Sequence, residues 1–471
     1  MVNQQLNAVV VPLFDRARAD ADAADAQRSR GESLGPLHGI PVTVKENFDV
    51  ARTPTTAGIV SRRSHAAVAD AAAVRRLREA GAILLGKTNL AQLMLFVESD
   101  NPLFGRTNNP WDLRRSPGGS SGGEGAIIAS GGSVIGLGND IGGSIRNPAH
   151  CCGIQGILPT PGRIPYTGAF DPNNREGGIV SQAGPLARSV GDLTLALDVL
   201  TGGGIDPHAV EIRGLRVGFY IDNGVFSASP ALRRAVREAA QAMAELGVEV
   251  EEFAVPRPTA AFQTYMACMS LDGAARQKEA LQGSKRDARV NMLIGLANVP
   301  NGLRPMIAAL AKTFGQCRTA DAVRTVRRRL SGEIQQLSEW RRSYRAEFLG
   351  LLDHRRLDAL ICPPFALPAV THGATANLLD ALSHTSLYNL LGFPAGVVAA
   401  TRVRADEESD RPKCADLQDS TARKVERGSA GLPVGVQVVA RDGRDDIVLA
   451  LMALLEREFR QHGDYPTRPP V

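Results

Sequence analysis

An α/β fold is predicted for this chain, with a mixed or mostly parallel sheet covered by helices, and three observations predict it. Amphipathic helical stretches alternate with short apolar strands from residue 69 onward, the order that builds layers of helix on sheet. The 48 glycines and 28 prolines of the 471 residues punctuate the boundaries between them. A hydrophobic share of 44% beside 22% charged residues suits a sizeable buried core rather than disorder. The chain is read as one domain over 1–471, because large α/β enzymes often exceed the length from which separate domains are counted.

Taken in order, LHGIPVTVKENFDV is an apolar strand-like run ending on a lone lysine, Lys45. From Ala69, Asp70 is placed to cap DAAAVRRLREA, Gly81 suits the C′ position, AILLG follows as a buried strand, and Lys87 and Thr88 open a loop. LRVGFY near Gly218 is a strand; Ser229 and Pro230 then read as N-cap and first helical residue, with Gly247 as the stop and VEVEEF as the alternating strand after it. The stretch 293–356 is helical, first apolar (LRPMIAALAKTF) and then basic, with Arg324, Arg327, Arg328, Arg329, Arg341, Arg342 and Arg345. Further strands are LDALICPP, GVVAATRV and PVGVQVVAR. The polar run 406–431 forms an exposed excursion between the last two, and DDIVLALMALLEREFR closes as a helix.

Bulk chemistry narrows the function. A net charge of +5 spread over 54 basic and 49 acidic residues does not imply nucleic acid. The six cysteines lack metal-ligand spacing and read as reduced thiols, and no His, Cys or carboxylate cluster suggests a metal. MVNQQLNAVV lacks a basic n-region with an apolar h-region, and no run approaches the roughly 18 apolar residues of a membrane span, so a cytoplasmic location is the expectation.

The most informative stretch runs from Ser116 to Gly156, where the first 29 residues hold eleven glycines around Ser120 and Ser144. Glycine at that density permits positive φ and lets backbone N–H groups approach a ligand. A serine nucleophile suits such a loop, yet no Gly-x-Ser-x-Gly elbow frames Ser144, so the base need not be histidine. Lys45 is the candidate: desolvation at the end of an apolar strand lowers a lysine pKa toward neutrality and leaves an amine able to take a proton.

With those residues in view, the sequence resembles the amidase signature family, whose members use a Ser-Ser-Lys triad. The resemblance implies that Lys45 is the base, Ser120 (first of the pair in GGSSGG) the relay and Ser144 of DIGGSIR the nucleophile, at spacings of 75 and 24 residues. It implies the amidase-signature fold, a central mixed mostly parallel sheet with helices on both faces, and a catalytic core over about 37–200. It further implies a cis peptide between Gly119 and Ser120, an oxyanion hole from the N–H groups of Ile141, Gly142, Gly143 and Ser144, and a substrate-lining role for Met94 and Leu95. NPLFGRTNNPW, SPGGSSGGEG and SLYNLLGFPAGVV look most like the fatty acid amide hydrolase branch, which carries a membrane-facing cap where this chain has its helical region of about 293–356. The chain begins almost on the segment QLNAVVVPLF, so part of the family's N-terminal helical layer is expected to be missing.

The function so implied is a hydrolase without cofactor that cleaves small-molecule linear carboxylic amides bearing a fatty acyl or aryl group, with esters or carbamates alongside. The cap is read as an amphipathic lid with a solvated basic face in preference to a peripheral membrane contact, and the oligomeric state stays open. The alternatives are a glutaminase-type subunit of an amidotransferase and a truncated non-catalytic member. Asp140 and Arg146 are read as an ion pair bracing the loop, His150, Cys151 and Cys152 as packing residues, and His38 as a satisfied hydrogen-bonding residue.

Overall fold

The computed structural model describes residues 2–32, 34–174 and 178–471. Its strands are β1 (Val9–Pro12), β2 (Pro41–Lys45), β3 (Ile83–Thr88), β4 (Asp100–Asn101), β5 (Gly105–Arg106), β6 (Ile135–Asp140), β7 (Gln155–Leu158), β8 (Gln182–Ala187), β9 (Arg216–Phe219), β10 (Glu249–Glu252), β11 (Ala359–Cys362), β12 (Ala395–Arg402) and β13 (Pro433–Ala440). β4 and β5 pair with each other, and the other eleven form one sheet in the order β1-β3-β2-β6-β8-β7-β12-β13-β11-β9-β10. The sheet is mixed. Its parallel pairs form two blocks, β3-β2-β6 and β11-β9-β10, while the centre from β6 to β11 and the edge pair β1-β3 are antiparallel.

The helices are α1 (Val2–Leu6), α2 (Phe14–Ser29), α3 (Ala72–Glu79), α4 (Gly122–Ala129), α5 (Arg146–Cys152), α6 (Val190–Thr201), α7 (Pro230–Glu245), α8 (Pro258–Met269), α9 (Ala275–Ala280), α10 (Ala288–Ala297), α11 (Arg304–Thr313), α12 (Cys317–Thr325), α13 (Ser331–His354), α14 (Ser383–Leu391), α15 (Leu417–Glu426) and α16 (Asp445–Phe459). Strand alternation explains how they cover both faces. Along β12, Gly396 and Val398 face α16, and a Cβ on Gly396 would come 2.1 Å from Met452 Sδ. Val397 points the other way, into the cluster holding Ala149 of α5 and Ala126 of α4. The larger core lies on the α16 face with α3, α6 and α7. On the opposite face, α4 is buried at every residue, because GGEGAIIA offers only small, apolar or internally bonded side chains.

Local chemistry departs from the sequence reading at four places. Asp70 does not cap α3; its carboxylate accepts from Ala51 N–H at 2.8 Å and pairs with Arg78 at 3.0 Å, and the helix starts two residues later. Lys87 and Thr88 stay in β3, because Thr88 is in register with both Val9 and Lys45. The segment 406–431 contains α15, whose Gln418, Ala422, Val425 and Glu426 are buried, so it is a covering element as well as an excursion. The arginines of the helical region are largely tied inward: Arg341 donates to the carbonyls of Leu390 and Gly178, and Arg345 to the carbonyl of Leu391.

Candidate active site

Three elements bring the candidate residues together. Lys45 is the last residue of β2, between β3 and β6, and is fully buried. Ser120 immediately precedes the turn into α4, and the Gly119–Ser120 peptide is cis. Ser144 sits in the turn between β6 and α5. The Ser121 N–H donates to the Ser144 carbonyl at 3.1 Å and ties the two serine loops to each other. Lys45 Nζ lies 2.7 Å from Ser120 Oγ. Lys45 and Ser120 have no exposed surface, whereas Ser144 retains 6%, so of the three candidates Ser144 alone meets solvent.

Electrostatics fit an amine that exchanges a proton near neutrality. Burial lowers the Lys45 ammonium to about 7, against the opposing pull of Asp171, Asp140 and Glu124. Glu124, on α4, accepts from Thr43 Oγ1 at 2.5 Å and Thr88 Oγ1 at 2.7 Å. Burial outweighs those bonds and the Lys45 charge, and pushes its carboxyl up to about 8. Asp171 accepts from Ser181 Oγ at 2.5 Å and Tyr166 OH at 2.9 Å, a second polar group that the sequence did not single out.

The loop around Ser144 is braced from below. Asp140 and Arg146 form a fully buried ion pair at 2.9 Å, as their flanking positions suggested. Burial alone would raise the Asp140 carboxyl, but Arg146, Asn389 and backbone N–H groups outweigh it and hold it at about 2. Arg146 reaches on to Gln437 Oε1 at 2.7 Å and the Thr385 carbonyl at 3.0 Å, binding the loop to β13 and α14.

The proposed oxyanion donors need one correction. The Gly143 N–H already donates to Asp140 Oδ1 at 2.7 Å, so Gly143 serves conformation instead, with φ +123. The N–H groups of Ile141, Gly142 and Ser144 have no protein acceptor among the described residues. Two braces invisible to motif reading hold this turn from outside: Tyr265 OH of α8 donates to the Ile141 carbonyl at 3.2 Å, and Thr385 Oγ1 of α14 donates to the Gly142 carbonyl at 2.7 Å.

Tyr265 also opens onto an apolar chamber of about 70 Å³ walled by Leu95, Met266, Leu293, Ile294 and Leu382. Leu95 lines this chamber. Met94 does not; it packs with Ala57 and Leu90 in a small core cluster. His150 is a packing residue: its Nδ1 accepts from Gly435 N–H at 3.0 Å, its Nε2–H faces the Leu367 carbonyl at 3.0 Å, and burial lowers its pKa to about 4. Burial raises the Cys151 and Cys152 thiols, which argues against a thiolate here. His38 Nε2 meets the Ala24 carbonyl at 3.1 Å. No group of three or more potential metal ligands gathers among the described residues, and none of their helices is long and apolar enough to cross a membrane.

Residues 1–449 match the amidase family. The chain is 33% identical to fatty-acid amide hydrolase 1 of Sus scrofa, over 97% of its own length and 80% of that protein. It superimposes on a solved fatty acid amide hydrolase with a TM-score of 0.83 at 25% identity, covering 97% of this chain and 79% of that one. A bacterial aryl acylamidase gives a TM-score of 0.73 at 25% identity, with 100% and 93% covered.

Proposed function

We propose that this chain, which belongs to the amidase family of amide-hydrolysing enzymes, works through a Ser-Ser-Lys triad and an acyl-enzyme on linear amides with an apolar acyl group. The observation that carries the reading is the buried Lys45 amine 2.7 Å from Ser120 Oγ, with burial lowering its pKa to about 7. Ser144 Oγ attacks the amide carbonyl carbon, its proton passes to Ser120 Oγ, and the Ser120 proton passes to neutral Lys45. The oxyanion is held by the N–H groups of Ile141, Gly142 and Ser144, each such donor lowering the barrier by about 3 kcal/mol. On collapse the C–N bond breaks, the proton returns from Lys45 through Ser120 to the leaving amine, and water then cleaves the ester to free acid and Ser144.

The apolar chamber beside Tyr265 supports an acyl group without charge, and the similarity to fatty-acid amide hydrolases and an aryl acylamidase supports fatty acyl or aryl chemistry. The chamber presents no charged side chain to the α-ammonium and α-carboxylate of glutamine, which weighs against a glutaminase-type subunit. Intact Lys45, Ser120 and Ser144 weigh against a non-catalytic member, and the absence of disulfides among the described cysteines suits a cytoplasmic enzyme.

One observation favours contact with a lipid surface over a fully solvated lid: Leu303, Met306, Leu310 and Phe314 are all exposed on or beside α11. The test of the chemistry is kcat/KM on p-nitroanilides from acetyl to long acyl chains, with Ser144→Ala as blank. A Ser144-dependent rate that changes with the acyl group is expected. Turnover that persists in Ser144→Ala sinks the nucleophile assignment.

A further inference from the structure

Three polar side chains line the otherwise apolar chamber: Tyr265, Ser270 and Gln277. Two are satisfied. Tyr265 OH donates to the Ile141 carbonyl, and Ser270 Oγ donates to the Met266 carbonyl at 2.9 Å and accepts from Arg327 N–H at 3.3 Å. Gln277, on α9 and 3% exposed, is not: its Oε1 is buried with no partner among the described residues.

The orientation of that amide follows from its neighbours. Asn173 donates through Nδ2 to the Leu93 carbonyl at 2.6 Å, which leaves Asn173 Oδ1 as the acceptor. Gln277 Nε2 donates to that oxygen at 3.0 Å, so the free end of the Gln277 amide is its carbonyl oxygen. A buried acceptor without a donor costs free energy, and a site with one such group favours ligands that supply the missing hydrogen.

We infer that Gln277 is a specificity-determining residue, and that the chamber takes the far end of an acyl group that carries one N–H or O–H donor there. The inference rests on the reading that the acyl group of the substrate enters this chamber from Ser144. The 70 Å³ volume suits the end of an acyl group rather than the whole of one.

The test uses binding, so that it does not depend on turnover. Dissociation constants for 4-hydroxyphenylacetamide and 4-methylphenylacetamide, alike in shape and different in one O–H, are measured on Ser144→Ala protein with and without Gln277→Met. The hydroxyl ligand is expected to bind about 5- to 10-fold tighter, the worth of one hydrogen bond. Gln277→Met is expected to abolish or reverse the preference while holding the methyl ligand at least as well. Equal constants on Ser144→Ala protein, or no binding of either ligand, overturn the inference whether or not Gln277→Met folds, as does a preference that survives that substitution. Ser144-dependent release of p-nitroaniline from a phenylacetyl anilide by the wild-type protein reports separately on the amidase reading. Turnover with equal binding constants removes only the role of Gln277.

Discussion

A lysine taken wholly out of water is a burden on the fold and an asset to the chemistry, and Lys45 separates the two by pH. If neutral Lys45 is the base, kcat/KM rises with pH through about 7 to a plateau, because below it the amine already holds a proton. A flat profile between pH 5 and 9 excludes this base. The stability sign runs with the same group. Between about 7 and 10.5 the folded lysine is neutral while the unfolded one still binds a proton, so this contribution to stability grows as pH rises. Lys45→Met removes the buried amine. Activity should drop by about 10²- to 10⁴-fold, while the thermal midpoint rises, most at pH 7 and below and progressively less toward pH 10.5. A lower midpoint at pH 7 would mean that Lys45 is held by interactions stronger than its desolvation. The meeting of Lys45 with Ser120 was legible in the sequence, because a lone lysine ending an apolar strand and serines among glycines mark themselves as candidates and the family resemblance orders them.

At the scale of elements, the turn carrying Ser144 depends on helices far away in the chain. A Cβ on Gly142 would lie 2.1 Å from Tyr265 OH and 3.1 Å from its ring carbon, so the obstacle to alanine there is the hydroxyl of α8. Gly142→Ala should cut kcat/KM by at least about 10²-fold through displacement of the N–H proposed as an oxyanion donor. Tyr265→Phe alone loses one hydrogen bond and should cost about 5- to 10-fold, mainly in kcat. In the double variant the hydroxyl is gone, and activity should recover toward that of Tyr265→Phe. Purely additive losses across the cycle refute the steric account. Nothing in PTAAFQTYMACM announces this role, and Thr385 and Gln277 are equally silent, since each acts by where the fold puts it. Gly143 shows the converse: the motif located the residue, but only the structure reveals that Asp140 already occupies its N–H.

At the scale of the whole molecule, the alternation of helix and strand was readable, but the strand order was not. β6, β8, β7, β12 and β13 pair in succession through their backbones, and Arg146 of α5 links Asp140 of β6 to Gln437 of β13, 291 residues away, a contact that no local pattern encodes. The helical region shows a related limit. Its basic composition suggested a solvated face, yet the feature most at odds with water is apolar. Leu303 (46% exposed), Met306 (62%), Leu310 (58%) and Phe314 (69%) follow one another at three and four residues, so α11 presents them as one stripe. The opposite side of the helix buries Ala308 against Ala320 and Val323 of α12. Lys312, Arg324 and Arg328 are exposed nearby, the pairing of apolar anchors and cations that suits an anionic bilayer. Leu293, Ile294 and Ala297 of α10, immediately before α11, line the chamber, so a docked stripe would set the lipid near the chamber proposed for the acyl group. The protein should therefore sediment with vesicles of phosphatidylglycerol and phosphatidylcholine at low salt and less so at high salt, where the cations are screened. Leu310→Asp with Phe314→Asp should abolish sedimentation and leave turnover of a water-soluble short-chain anilide unchanged. Failure of the wild-type protein to sediment at low salt returns the helices to the role of a solvated lid, and sedimentation that survives both aspartates places the lipid contact elsewhere on the surface.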